Sequence, residues 1–237
     1  MTPKNITEFK FSSTEKMLDT VYEHIVEQLK SSLKAHQQVS LLVSGGSTPG
    51  PLYNSLAHAS LPWEKIHVGL VDERWVDTHH SASNEKLITD SLLSQQASPA
   101  FTGMKTSAKT ATQGVNECEA RYRCMPQHIA CTLLGMGSDG HTASLFPYAN
   151  GLQEAFSTEN RCAAIYPKPS SVTGEFVERM SLTPNALLQS QRLILLITGK
   201  EKWDVYQAAK RSSEPLATPI GYFLQQTNTP IHVYWAP

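Results

Sequence analysis

Two hydrophobic rhythms alternate along the chain. From Ser12 to Ala35, Met17, Val21, Ile25, Leu29 and Leu33 recur every fourth residue, the spacing of one helix face. Ser12, with Glu15 three residues on, supplies a capping-box start. Val39-Ser-Leu-Leu-Val43 breaks the rhythm with a short apolar run, the pattern of a buried strand. A loop from Ser44 to Gly50 leads into a helix over Pro51 to Ala57, with Pro near its first turn. The unit then repeats as strand Ile66 to Val71, polar loop Asp72 to Ser83 and helix Asn84 to Leu93. Gln95 to Gly114, rich in Ser, Thr, Ala and Gly, reads as a surface excursion.

Beyond it the alternation resumes. Helix Val115 to Met125 precedes strand Ile129 to Leu134 and the loop Gly135 to His141. Strands Arg161 to Tyr166 and Glu175 to Met180 flank the turn Pro167 to Gly174. Helix Pro184 to Gln189, strand Leu193 to Thr198, helix Lys200 to Lys210, a short helix at Ile220 to Gln226 and strand Ile231 to Trp235 complete the chain. Strand–helix alternation predicts an α/β fold: a doubly wound, mostly parallel sheet with helices on both faces. No repeat divides the pattern, so one domain over residues 1–237 is expected. Ligands of such sheets bind beyond the carboxyl ends of the strands.

Composition narrows the ligand. Hydrophobic residues make up 40% and charged residues 17% of 237, and the formal net charge is −1. That balance carries no basic excess for nucleic acid or an anionic membrane, while a small anion needs only a few local cations. The first residues lack a secretory h-region, and no apolar run approaches the roughly 18–20 residues of a membrane span, so a cytoplasmic protein is expected. Cys118, Cys124, Cys131 and Cys162 match no zinc spacing and read as reduced thiols.

Three loops follow strands. Ser44-Gly45-Gly46-Ser47-Thr48 can turn its backbone N–H groups outward at a helix start, and its hydroxyls would complete a phosphate cradle. It has no Gly-Lys-Ser/Thr, so it is no P-loop, and Ser47 lacks the flanking glycines of a nucleophile elbow. Asp72-Glu73-Arg74-Trp75-Val76 brings three charges to a strand end. Nearby His79 and His80 lack ligand spacing and read as loop residues. Gly135-Met-Gly-Ser-Asp-Gly-His141 formally satisfies G-x-G-x-x-G, but Asp139, Gly140 and His141 interrupt it. The glycines read as making room for a ligand, with His141 at its edge as the candidate for proton transfer. Arg179 and Lys202, each near a strand–helix junction, would suit a phosphate dianion.

These segments resemble the 6-phosphogluconolactonases. Ser44-Gly-Gly-Ser-Thr-Pro49, Asp72-Glu-Arg-Trp-Val76, Ser83-Asn84, Gly135-Met-Gly-Ser-Asp-Gly-His-Thr-Ala-Ser-Leu-Phe-Pro147, Arg179-x-Ser-Leu-Thr183 and Gly199-x-x-Lys202 occur in the family's order. Asp77 and Ser138 depart from its usual pattern. The resemblance implies a deaminase/isomerase-like modified Rossmann fold and hydrolysis of 6-phosphoglucono-δ-lactone. It implies neither metal nor cofactor, and a sugar-phosphate lactone as the partner of a monomeric enzyme.

On that basis Gly45, Gly46, Ser47, Thr48, Arg179 and Lys202 would hold the phosphate. His141 would act as general base on water, Arg74 would stabilise the carbonyl oxygen or orient the sugar, and Asp139 or Asp72 would orient His141 or substrate hydroxyls. An isomerase/deaminase of the same superfamily is the nearest rival. Its group carries an acid soon after Asp-Gly-His, where this chain has Thr142-Ala-Ser-Leu-Phe-Pro-Tyr148. A sugar-phosphate sensor and a triad serine hydrolase are the others, and the sequence offers neither a DNA-binding module nor a nucleophile elbow.

Overall fold

The computed structural model describes residues 5–93, 99–212 and 214–237. Seven strands form one sheet in the order β1 (Ile6–Lys10), β10 (Ile231–Ala236), β9 (Leu193–Thr198), β6 (Ile129–Gly135), β2 (Val39–Val43), β3 (Ile66–Leu70) and β5 (Ala100–Thr102). Every neighbouring pair is parallel. All five residues of β2 are buried, as are the first six of β6. Continuous burial requires cover on both faces, which accounts for apolar runs in place of alternation. Helix α1 (Thr14–Ala35) packs its apolar ladder against β2, β6 and β10, and the helix Lys200–Ala209 lies against β9. Each fully buried Leu or Ile of that ladder contributes about 1.5–3 kcal/mol of transfer free energy.

The strand order contains a switch. From β2 the chain moves outward to β3 and β5, then returns to lay β6 on the other side of β2. The carboxyl ends of β2 and β6 therefore splay their loops apart, leaving a crevice between them.

A second, antiparallel sheet lies beside that crevice. It comprises β4 (Asp72–Arg74), β8 (Arg179–Leu182) and β7 (Cys162–Ile165). Its register sets Asp72 opposite Ser181 and Arg74 opposite Arg179. Among the described residues, no helix is long and apolar enough to cross a membrane.

Several boundaries differ from expectation. Ser13, not Ser12, caps α1, accepting from Lys16 N at 3.3 Å. The unpredicted strand β1 reads Ile-Thr-Glu-Phe-Lys; as an edge strand paired only to β10 it keeps polar positions that hide it. The predicted excursion at Gln95 to Gly114 is only partly outside the core. Its residues 95–98 lie outside the described residues, but β5 then joins the sheet and Met104 is fully buried. Helix α4 (Ala111–Arg123) starts before Gly114, inside the stretch expected as an excursion and ahead of the expected start at Val115. The ring of Trp75 lies so close that a Cβ at Gly114 would sit 2.4 Å from it. The predicted strand Glu175 to Met180 is shifted onto β8, and the short helix α5 (Leu152–Ser157) went unpredicted.

Candidate active site

A cleft of about 500 Å³ opens at the switch between β2 and β6. Four loops at strand ends meet there: Ser44 to Pro49 after β2, Asp72 and Arg74 after β3, Gly135 to His141 after β6, and Thr198 to Lys202 after β9. Gly45, Gly46, Ser47, Thr48, Asp72, Arg74, His141, Arg179 and Lys202 all line it. Asp139 stands behind His141, outside the lining.

The glycine loop ends at α2 (Gly50–Ala57), whose first turn has no side-chain cap. Its orphan N–H groups and partial positive charge suit an anion. Gly46 adopts φ 106°, a left-handed conformation that turns the loop, and Ser47 is exposed.

His141 is paired from behind. Its Nδ1 lies 2.6 Å from Asp139 Oδ1, which also accepts from His141 N at 3.1 Å. Burial pushes the Asp139 carboxyl up, but the hydrogen bonds and charge of His141 outweigh it and hold its pKa below the ordinary value. An ionised carboxylate only accepts, so in the neutral imidazole Nδ1 carries the proton and Nε2 is left as the acceptor nitrogen. The ring stacks on Phe146, with centroids 4.1 Å apart and planes at 28°. Gly137 makes this pair possible: a Cβ there would lie 2.2 Å from His141 Nδ1. That glycine makes room for the imidazole while also lining the cleft. Ala143, beside the cleft, holds φ 49°, an uncommon conformation for a residue with a side chain.

The cations are held differently. Arg74 Nη1 donates to Ala82 O at 2.7 Å and to Asn84 Oδ1 at 3.1 Å. Arg179 is only 4% exposed; its Nε donates to Phe176 O at 2.6 Å and its Nη2 to Thr173 O at 3.0 Å. Arg179 thus ties down the loop that presents Ser171 and Val172 to the cleft. Burial pushes its pKa down to about 10, with Arg74 adding to the push and Asp72 opposing it. Like charges directly opposite across a strand pair are destabilising, and here both face a cleft where an anion would relieve them. Asp72 is buried at the start of β4, its Oδ2 accepting from Ser144 Oγ at 2.5 Å. Asp72 therefore orients no imidazole; Asp139 does.

Some contributors were not assigned from sequence. Phe146 and Ser144 lie in the motif after His141, but only the fold shows what they touch. Glu73 is fully buried and accepts from Arg74 N, Ser83 Oγ, Asn84 N and Glu85 N, fixing the start of α3 (Asn84–Ile88) beside the cleft. Burial pushes its pKa up to about 7 despite those four donors.

The sequence profile of the family "Glucosamine-6-phosphate isomerases/6-phosphogluconolactonase" matches residues 12–235. The chain belongs to this family. Among curated relatives of the family, the 6-phosphogluconolactonase of Xylella fastidiosa (strain 9a5c) is 33% identical over 238 residues, covering 99% of both chains. The crystal structure of a 6-phosphogluconolactonase from Shewanella baltica OS155 superposes with a TM-score of 0.94 at 33% identity over the whole of both chains. That from Thermotoga maritima gives 0.82 at 27% identity, covering 98% of this chain and 99% of the other. The doubly wound architecture is thus the family's.

Proposed function

We propose that the protein hydrolyses 6-phospho-D-glucono-1,5-lactone to 6-phospho-D-gluconate. The observation that carries this is the convergence, in one cleft, of an Asp-paired histidine with a glycine loop and three cations. The phosphate sits on Gly45, Gly46, Ser47 and Thr48, with Lys202 and the remaining N–H groups of Arg179 supplying charge. This leaves the lactone carbonyl toward His141 and Arg74.

His141 Nε2 takes a proton from water as the water oxygen bonds to the carbonyl carbon. Arg74 steadies the negative charge that develops on the carbonyl oxygen. The intermediate collapses by breaking the bond to the ring oxygen, which receives the proton from His141. The new carboxylic acid then ionises, releasing one proton to solution. Asp139 keeps the imidazole in the required tautomer throughout.

The isomerase/deaminase alternative moves protons between ring carbons. The relatives named above are lactonases, and among the described residues Asp72 is the one carboxylate lining the cleft, already engaged by Ser144. The reading takes residues 1–237 as one domain, supported by β1 and β10, which pair the two ends of the chain from Ile6 and Ile231 onward. It also takes the cytoplasm as the place of action.

The test follows proton release after adding freshly made phosphorylated δ-lactone. Acceleration above the spontaneous rate, with no ammonia released from glucosamine 6-phosphate, is expected. Ammonia release without lactone hydrolysis would reverse the assignment.

A further inference from the structure

Asn84 is buried at the first turn of α3, yet its side chain forms part of the cleft wall. It touches two segments at once, β4 and the glycine loop. Its Nδ2 donates to the Asp72 carbonyl at 2.9 Å and lies 3.4 Å from Asp72 Oδ1. Its Oδ1 accepts from Arg74 Nη1 at 3.1 Å. The amide also lies against the glycine loop, because a Cβ at Gly45 would stand 1.9 Å from Asn84 Oδ1 and 2.4 Å from its Cγ.

The orientation of this amide is settled by its partners. A guanidinium only donates and a carbonyl only accepts, so a flipped amide would leave both facing the wrong atom. The main chain is fixed separately, since Asn84 N donates to Glu73 Oε1 at 2.7 Å. An amide held from both sides is a rigid spacer.

Arg74 needs such a spacer. Both hydrogen bonds of its guanidinium fall on one nitrogen, Nη1, and only one of the two acceptors is a side chain. Across the strand pair it stands opposite Arg179, and like charges opposite one another repel. Without Asn84 the group would pivot on Ala82 O alone.

We propose that Asn84 is a positioning residue: it fixes the aim of Arg74 and locks it to the glycine loop, so that the two ends of the cleft keep one spacing. This rests on the lactonase reading for its assay. It predicts that Asn84 acts on turnover through Arg74 and not through stability alone.

The experiment is a double-mutant cycle on phosphorylated δ-lactone with wild type, Asn84→Ala, Arg74→Ala and the double variant. Misplacing a group by about 1 Å can cost about 10²-fold, so kcat of Asn84→Ala should fall roughly 10- to 100-fold. KM should move by no more than about threefold, since the lost interaction is one made in the transition state. In the Arg74→Ala background the same substitution should cost less than about twofold, because the group it aims is gone. Should Asn84→Ala fail to fold, Asn84→Ser, which keeps a small polar side chain, carries the same cycle. Equal fold-losses in both backgrounds, or an unchanged kcat with only a lower Tm, would overturn the inference. A failure of the lactonase reading shows in the wild type; a failure of this inference shows only in the cycle.

Discussion

His141 and Asp139 stand two residues apart, and Gly137 lets their side chains fold back on one another. The pair leaves a single imidazole nitrogen for chemistry. His141→Ala should lower kcat by about 10²–10⁴-fold, the range that general acid–base catalysis supplies. Binding of 6-phosphogluconate, measured by calorimetry, should persist; near-normal turnover would remove the general-base role. Asp139→Asn would present an amide that can donate to Nδ1 and so favour the wrong tautomer. Its kcat should drop with little change in KM, and an unaltered kcat would leave the carboxylate without a part in turnover. At this scale the sequence was informative. His141 stands out among nine histidines because it follows a glycine loop after an apolar run. Which aspartate served it was not legible, because the choice between Asp72 and Asp139 depends on Ser144 reaching Asp72 from another segment.

At the scale of elements, the loops after β2 and β6 were legible because glycines punctuate apolar runs there. The small antiparallel sheet was not. β4 is three residues long, two of its residues are acidic and the third is Arg, and its partner β8 lies more than a hundred residues away in sequence. Only that pairing reveals that Arg179 is buried and ties the loop over Thr173 and Phe176. Arg179→Ala should therefore raise KM for the phosphorylated lactone chiefly, by loss of charge and by loosening the loop that carries Ser171 and Val172. An unchanged KM would mean that neither contact reaches the substrate.

Glu73 provides the pH-dependent prediction. Its pKa in the fold, about 7, lies above the ordinary 4.5 because burial penalises the charged form. The folded state then binds the proton more tightly than the unfolded one. The associated stability is complete below pH 4.5 and is lost as pH rises through 7, a change on the order of 3 kcal/mol. Glu73→Gln cannot titrate, so its Tm should lack the decline that wild type shows between pH 5 and 7. Parallel Tm curves for the two proteins would contradict this.

Over the whole molecule, the net charge of −1 says little about the ligand. The parallel sheet collects its strand ends along one edge, and the switch between β2 and β6 opens that edge into a cleft. Arg74, Arg179 and Lys202 meet there from segments far apart in sequence, a local positive field that the global sum averages away. The low charged fraction reflects the other side of the same design: a sheet buried on both faces has few places for charge.

In the proposed mechanism this field anchors the substrate by its phosphate and so delivers the lactone carbonyl to His141. The most direct measurement is the ratio of kcat/KM for 6-phosphoglucono-δ-lactone to that for unphosphorylated glucono-δ-lactone. Charge-assisted bonds to phosphate are worth about 1.5–3 kcal/mol each, so the loss of two or more predicts a preference of at least about 10²-fold. Equal kcat/KM values for the two lactones would contradict the account.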